Sequence, residues 1–213
     1  MADNTISIVA ALEQQDMRMS ALNEIANIGT GHAARALASV CGRDFLISVP
    51  QVQPITFDRF QELVDNIDET YALVYMAVDG NFNGRMAFCM DWSSCQALWK
   101  MLIGSAPESP DDLTELEWSS VVEIGNIING SFLSAFTQFT GLLTNATPPI
   151  LAIDSFGSIL GSIAAEASEQ HVALFIETKL WDQEESVQGS FLLIPSEESV
   201  NLLWESLGLN MAA

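Results

Sequence analysis

A chain of 213 residues, 49% of them hydrophobic, has the length and apolar material for one large domain or two small units sharing a core. Acidic residues outnumber basic ones by 28 to 7, and a net charge of −21 repels a nucleic-acid backbone and excludes that class of partner. Cys41, Cys89 and Cys95 lack metal-ligand spacing and only His32 and His171 are available to complete a set, so no metal site is expected. Free thiols without a basic start or an apolar signal core point to the cytoplasm. No uninterrupted apolar run nears the roughly 20 residues that span a bilayer, so no membrane segment is expected.

In chain order, residues 3–15 suit a short helix capped at Asp3, Asn4 or Thr5, and Asp16 is placed to cap a longer one ending near Cys41-Gly42, where the glycine is a natural stop. Phe45 to Val52 reads as a strand whose Pro50 belongs at an edge or bulge. Residues 58–67 suit a short helix. Tyr71 to Val78 and Arg85 to Met90 are apolar strands joined by Asp79-Gly80-Asn81-Phe82-Asn83-Gly84, a hairpin signal. Trp92 to Ile103 is a helix, and the Gly- and Pro-interrupted stretch from Gly104 to Asp112 is a linker.

Thr114 and Glu117 form a capping box that opens a second long helix. After Pro149 the pattern predicts a strand to Phe156, a helix over 158–167, strands over 171–178 and 189–194, and a closing helix over 196–207. The Met residues and the Leu98-Trp99 and Leu203-Trp204 pairs are expected in the core.

The second half echoes the first. Ser20, Glu24, Asn27 and Pro50 recur as Ser119, Glu123, Asn126 and Pro149, in the same order and at one shared offset of about a hundred residues. Gly84 and Gly189 stand the same distance ahead of the two Leu-Trp pairs. Each half therefore reads as helix, strand, short helix, hairpin, helix, and the expected class is α+β with approximate two-fold internal symmetry. Repeat 1 spans about 16–104, the linker about 105–112 and repeat 2 about 113–213.

At about 100° per residue, Ser20, Glu24 and Asn27 share one face, while Leu22, Ile25, Ala26, Gly29, Ala33, Ala36 and Val40 lie opposite. In the second copy Ser119, Glu123 and Asn126 face out and Val121, Ile124, Gly125, Ile128, Phe132 and Ala135 face in. Gly31, Ala34, Ala38 and Gly130 continue the outward stripes with small residues that admit a close surface. A lone exposed Glu and Asn is ordinary solvated polarity. Two pairs kept with their Ser and distant Pro, while the surrounding helices have drifted, point to function. Gly29 and Gly125 fall on the buried side, where close packing is the simplest account. Gly31-His32-Ala33 lies inside a helix pattern and makes no phosphate loop, and His32 reads as structural.

The twice-repeated Ser-x3-Glu-x2-Asn-x22-Pro, with the words Asn23-Glu24-Ile25-Ala26-Asn27-Ile28-Gly29-Thr30-Gly31-His32-Ala33-Ala34 and Ser48-Val49-Pro50, resembles the signature of the CheC/CheX/FliY group of chemotaxis phosphatases. Two complete motifs make the chain most similar to the CheC type, and no C-terminal extension of the kind that carries FliY into the flagellar switch is expected, because the second repeat runs almost to Ala213. The resemblance implies an internally duplicated CheC-like fold forming a single domain. It implies hydrolysis of the aspartyl phosphate of the response regulator CheY.

On that resemblance Asn27 and Asn126 position the attacking water, as an amide does in small GTPases, and Glu24 and Glu123 dock by pairing with a lysine beside the phosphorylated aspartate. Ser20, Gly31, Ser119 and Gly130 support the partner-facing surface. No cofactor of its own is implied, because the Mg belongs to CheY. The family also binds CheD, a receptor-modifying deamidase, so a non-enzymatic CheD-binding adaptor is the competing reading. A nucleophilic hydrolase is disfavoured, since no Ser-His-acid or Cys-His arrangement is evident. The motif helices are expected at the surface, with Glu24, Asn27, Glu123 and Asn126 exposed.

Overall fold

The computed structural model describes residues 2–48, 52–56, 59, 62, 66–166, 172–181 and 186–209. Its elements are α1 (Ala2–Cys41), β1 (Leu46–Ser48), β2 (Val52–Thr56), β3 (Thr70–Gly80), β4 (Gly84–Asp91), α2 (Trp92–Ile103), α3 (Glu115–Thr140), β5 (Thr144–Ala146), β6 (Ile150–Ser155), α4 (Phe156–Glu166), β7 (Val172–Trp181), β8 (Ser186–Pro195) and α5 (Glu197–Ser206). The class is mixed α/β, with the strands joined in one antiparallel sheet ordered β1-β7-β8-β4-β3-β5, in which β2 also pairs β7 and β6 also pairs β3.

Residues alternate between the two faces of the sheet, as a period of two requires. Ala72, Val74, Met76 and Val78 of β3 join Met86, Phe88 and Met90 of β4 in the core beneath α1, α2 and α3. Leu73, Ala87, Cys89 and Ile194 pack on the other side against Phe156 and Ile159 of α4. Phe132 of α3 stacks on Phe191 of β8 at 4.0 Å between ring centres, and Phe82, buried in the β3-β4 turn, meets Phe136 at 4.6 Å.

Several expectations are corrected. Asp16 caps nothing: α1 runs unbroken from Ala2, because Glu13-Gln14-Gln15-Asp16 holds neither Gly nor Pro to stop a helix. Gly42 does end it, at φ 68°, donating to the Ala38 carbonyl at 3.0 Å. Val40 is not inward but 63% exposed, since in the last turn the buried positions go to Leu37 and, past the turn, Phe45. Met17 is likewise not core but exposed, whereas Met76, Met86, Met90 and Met101 are buried. The Leu-Trp pairs are buried at Leu98, Trp99 and Leu203, with Trp204 half-buried.

The strand expected from Phe45 to Val52 is two short ones on β7, with Ser48 opposite Lys179 and Val52 opposite Ile176, so the register moves by one residue between them. Pro50 itself lies outside the described residues, as does most of the helix expected at 58–67. On the other edge, β5 and β6 make the same one-residue slip along β3, from Ala146 opposite Val78 to Ile150 opposite Tyr75. Pro149 sits in that slip, as its missing donor favours. Thr147 holds it by donating to the Ala77 carbonyl at 3.0 Å and accepting from the Ala77 amide at 3.0 Å.

Elements of the two halves cross-pair. The first half's β2 bonds the second half's β7, and the second half's β6 bonds the first half's β3, with β4 and β8 adjacent at the centre. Asp91 and Ser196 cap α2 and α5 by accepting from Ser94 and Ser199 amides, and the two capped serines reach across. Ser94 Oγ accepts from the Gln188 amide at 3.3 Å, and Ser199 Oγ from the Asn83 amide at 2.7 Å.

Gly29 and Gly125 govern how close the long helices come. A Cβ on Gly125 would lie 2.4 Å from Val74 Cβ, and one on Gly29 would lie 3.1 Å from Phe132 Cα. Gly125→Ala therefore overpacks α3 against β3, and after its gain in helix propensity of about 1 kcal/mol it should still cost about 1–2 kcal/mol. Gly130, with nothing within 4 Å of a built Cβ, should gain about 0.5–1 kcal/mol as Ala. Urea unfolding of the two variants checks the contrast in sign.

Candidate functional site

The two long helices turn their paired polar residues away from the core. Ser20, Glu24 and Asn27 of α1 are exposed and Gly31 is half-buried, and Ser119, Glu123, Asn126 and Gly130 of α3 are all exposed. Their inward neighbours Leu22, Ile25, Ala26 and Ala33 on α1, and Val121, Ile124, Ile128, Phe132 and Ala135 on α3, are buried. In each helix a carboxylate and a carboxamide thus project from one face about one turn apart. Among the described residues no hydrogen bond engages the side chains of Glu24, Asn27, Glu123 or Asn126, leaving their polar atoms to solvent or a partner. Ser119 Oγ turns back to donate to the Leu116 carbonyl at 3.1 Å.

Each face is held from behind, by residues that the motif reading missed. On α1, Asn23 Oδ1 accepts from the Val52 amide at 2.9 Å, tying the residue before Glu24 to β2. On α3, Asn129 is fully buried and its Nδ2 donates to the Val74 carbonyl at 3.0 Å, one turn beyond Asn126. Asn129 Oδ1 finds no partner among the described residues. The position corresponding to Asn129 on α1 is Thr30, whose hydroxyl instead donates to the Ala26 carbonyl of its own helix at 2.6 Å. The available signal was an Asn at an inward helical position, where an apolar residue is the rule.

The early turns of both motifs are pinned too. Trp99 Nε1 of α2 donates to the Glu117 carbonyl at 2.9 Å. Arg18 lies 4.8 Å from the centre of the Trp204 ring of α5, and its Nε and Nη2 donate to the Leu209 carbonyl at 3.1 and 2.7 Å. The capping box opens α3 as expected, with the Thr114 amide donating to the Glu117 carboxylate at 3.0 Å.

The remaining reactive groups stand apart from these faces. His32 is half-buried beside α1's inward side, and His171 lies outside the described residues. Cys89 and Cys95 are buried on and beside β4, and burial pushes the Cys89 thiol from the usual 9.0 up to about 12, with Asp91 adding to the rise. Burial likewise raises Cys95, helped by Cys89 and Asp91. Both are protonated near neutral pH and unsuited to nucleophilic attack. A cleft of about 290 Å³ lies on the far side of the sheet, between α4 and strands β3 and β4 near Tyr75, Ile159 and Ile163, and none of the four Glu and Asn side chains lines it. Among the described residues no helix is long and apolar enough to cross a membrane.

A thiol reagent should modify half-buried Cys41 in the native protein and reach Cys89 and Cys95 only on unfolding, which mass spectrometry would read site by site. Because folding raises the Cys89 pKa from 9.0 to about 12, the folded state keeps a proton that the unfolded state releases. Stability should therefore fall as pH climbs from 9.0 towards 12, and Cys89→Ala should flatten that decline.

Residues 17–53, which hold the first motif, match the family model described as the CheC-like family. Over 203 residues the chain is 28% identical to the CheY-P phosphatase CheC of Bacillus subtilis (strain 168), an alignment covering 92% of this chain and 97% of that protein. It is 24% identical over 135 residues to the flagellar motor switch phosphatase FliY of the same organism, covering 63% of this chain and 35% of that longer protein. The crystal structure of Thermotoga maritima FliY superposes with a TM-score of 0.70 at 21% identity, covering 92% of this chain and 96% of that one. Sequence similarity to CheC thus extends along nearly the whole chain, and the fold is that of Thermotoga maritima FliY.

Proposed function

We propose that this chain is a chemotaxis protein phosphatase that hydrolyses the aspartyl phosphate of the response regulator CheY, with Asn27 and Asn126 holding the attacking water and Glu24 and Glu123 docking the partner. The observation that carries this reading is the pair of matched faces. The same carboxylate and carboxamide stand exposed and unengaged on α1 and on α3, each over a back side fixed by a close glycine contact and a side-chain hydrogen bond, part-buried at Asn23 of α1 and buried at Asn129 of α3.

An aspartyl phosphate is already activated, because its leaving group is a carboxylate. Hydrolysis needs a water oxygen placed in line with phosphorus; as it bonds, the bond from phosphorus to the aspartyl oxygen breaks and the carboxylate leaves with the electron pair. A carboxamide suits the placement, since its oxygen accepts a hydrogen bond from the water while its NH₂ donates one to a phosphoryl oxygen, and the proton the water gives up leaves with the released phosphate or to solvent. The Glu one turn earlier reaches a cationic side chain of the partner and sets the register of docking. Small or short residues at Ser20, Gly31, Ser119 and Gly130 let the partner approach. In this reading the Mg that absorbs charge on phosphorus sits on CheY, and the chain supplies no cofactor.

We further read the chain as one domain built from two duplicated repeats, about 16–104 and 113–213, around a pseudo-two-fold axis between β4 and β8. Support comes from the sheet order, which is unchanged when the two halves exchange places, and from the reciprocal bonds of Ser94 to Gln188 and Ser199 to Asn83. Two equivalent sites follow from that reading.

Phosphate release from phosphorylated CheY tests it. Asn27→Ala and Asn126→Ala should each remove part of the turnover while leaving CheY binding nearly intact, and the double variant should lose at least about a hundredfold, the amide acting mainly in the transition state. Glu24→Ala and Glu123→Ala should instead weaken binding, more at low salt than at high. A double Asn variant with wild-type turnover would sink this mechanism and leave the CheD-binding adaptor as the reading to pursue.

A further inference from the structure

The outward faces carry one more matched feature. Met17 is 51% exposed and Leu116 is 60% exposed. Each stands three residues before the motif Ser and seven before the Glu, which places it about 10 Å along the helix from Glu24 or Glu123 and within about 20° of it around the axis. Each face therefore reads, in order, one large apolar side chain, Ser, Glu, Asn and Gly.

A single exposed hydrophobic needs no explanation. These two differ in being matched and in being rigidly presented. The residue after Met17 is Arg18, held over the Trp204 ring and to the Leu209 carbonyl. The residue after Leu116 is Glu117, whose carbonyl receives the Trp99 indole hydrogen. Both apolar side chains thus project from turns fastened by the closing helix of a half, so the backbone part of the ordering cost of using them in binding is already met by the fold.

We propose that Met17 and Leu116 are docking residues that seat an apolar patch of the response regulator next to its phosphorylated aspartate, extending each Glu/Asn footprint by about two helical turns. The proposal rests on the CheY-phosphatase reading. A second copy of this chain is the poorer occupant, because two such faces would bring Glu24 or Glu123 against like charge on a molecule of net charge −21. A receiver protein presenting a cation to the Glu has no such penalty.

The test uses the full chain with Met17→Ser/Leu116→Ser, and a conservative control, Met17→Leu/Leu116→Met. Steady-state phosphate release from phosphorylated CheY is measured beside the affinity for CheY carrying beryllofluoride in place of the phosphoryl group. The serine pair should raise KM and the dissociation constant about five- to tenfold with kcat and the unfolding midpoint unchanged, and the control should behave as wild type. An unchanged KM and affinity in the serine pair would overturn the proposal. So would a wild-type dimer, seen by sedimentation, that the serine pair dissociates without altering CheY affinity. If the wild type binds the beryllofluoride complex but releases no phosphate, the phosphatase reading fails, and docking by Met17 and Leu116 still stands or falls on the affinity comparison.

Discussion

The contact of α3 with β3 at Gly125 and Val74 leaves no room for a methyl group, and the architecture around the proposed sites follows from it. With the helix backbone lying directly on a β-branched side chain, α3 can neither rise from the sheet nor roll about its axis without losing the packing of Ile124, Ile128 and Phe132. The fully buried bond from Asn129 to the Val74 carbonyl fastens the next turn to the same strand residue. α1 is located in turn by Gly29 against Phe132 of α3, and by Asn23 against β2. Two exposed faces inherit their orientation from contacts that contain no catalytic residue.

The cross-pairing of strands makes this arrangement a property of the whole chain. β2 completes its sheet on β7 and β6 on β3, so either half alone would leave its hairpin without an outer neighbour. The capped serines Ser94 and Ser199 bond amides of the opposite half, and Trp99 and Trp204 fasten the opposite half's long helix near its motif. Both faces therefore stand on one shared core.

Much of this was legible in the sequence, because local physics decides it. Helical periodicity separated the outward Glu and Asn from the inward aliphatics, the Gly-rich 79–84 stretch marked the hairpin, and the Thr114-Glu117 box and Gly42 marked helix ends. Apart from Asp16, the misses are tertiary. Asp16 looked like a cap only in isolation from the helix-forming residues before it. Val40 fits the apolar stripe of α1, but exposure in the last turn depends on where the covering layer stops. Which strand lies beside which cannot be read from period two, and the buried amide of Asn129 declares its purpose only once Val74 is seen beneath it.

The chain's acidity bears on what such faces can act upon. A chain with 28 acids and 7 bases has little to offer a phosphate ion, and the proposed sites add carboxylates instead of cations. Small phosphate esters and free acyl phosphates would be repelled from Glu24 and Glu123, and the product phosphate would be expelled by the same field. In the proposed reaction, charge neutralisation for the transition state would come from the partner, through its metal and the cation that would meet the Glu. An enzyme that contributes only a water-positioning amide and a docking carboxylate works on substrates that bring the other half of the active site with them. On the proposed function, selectivity for a phosphorylated protein over the cell's abundant phosphate compounds would follow from that omission, the missing positive charge acting as the filter.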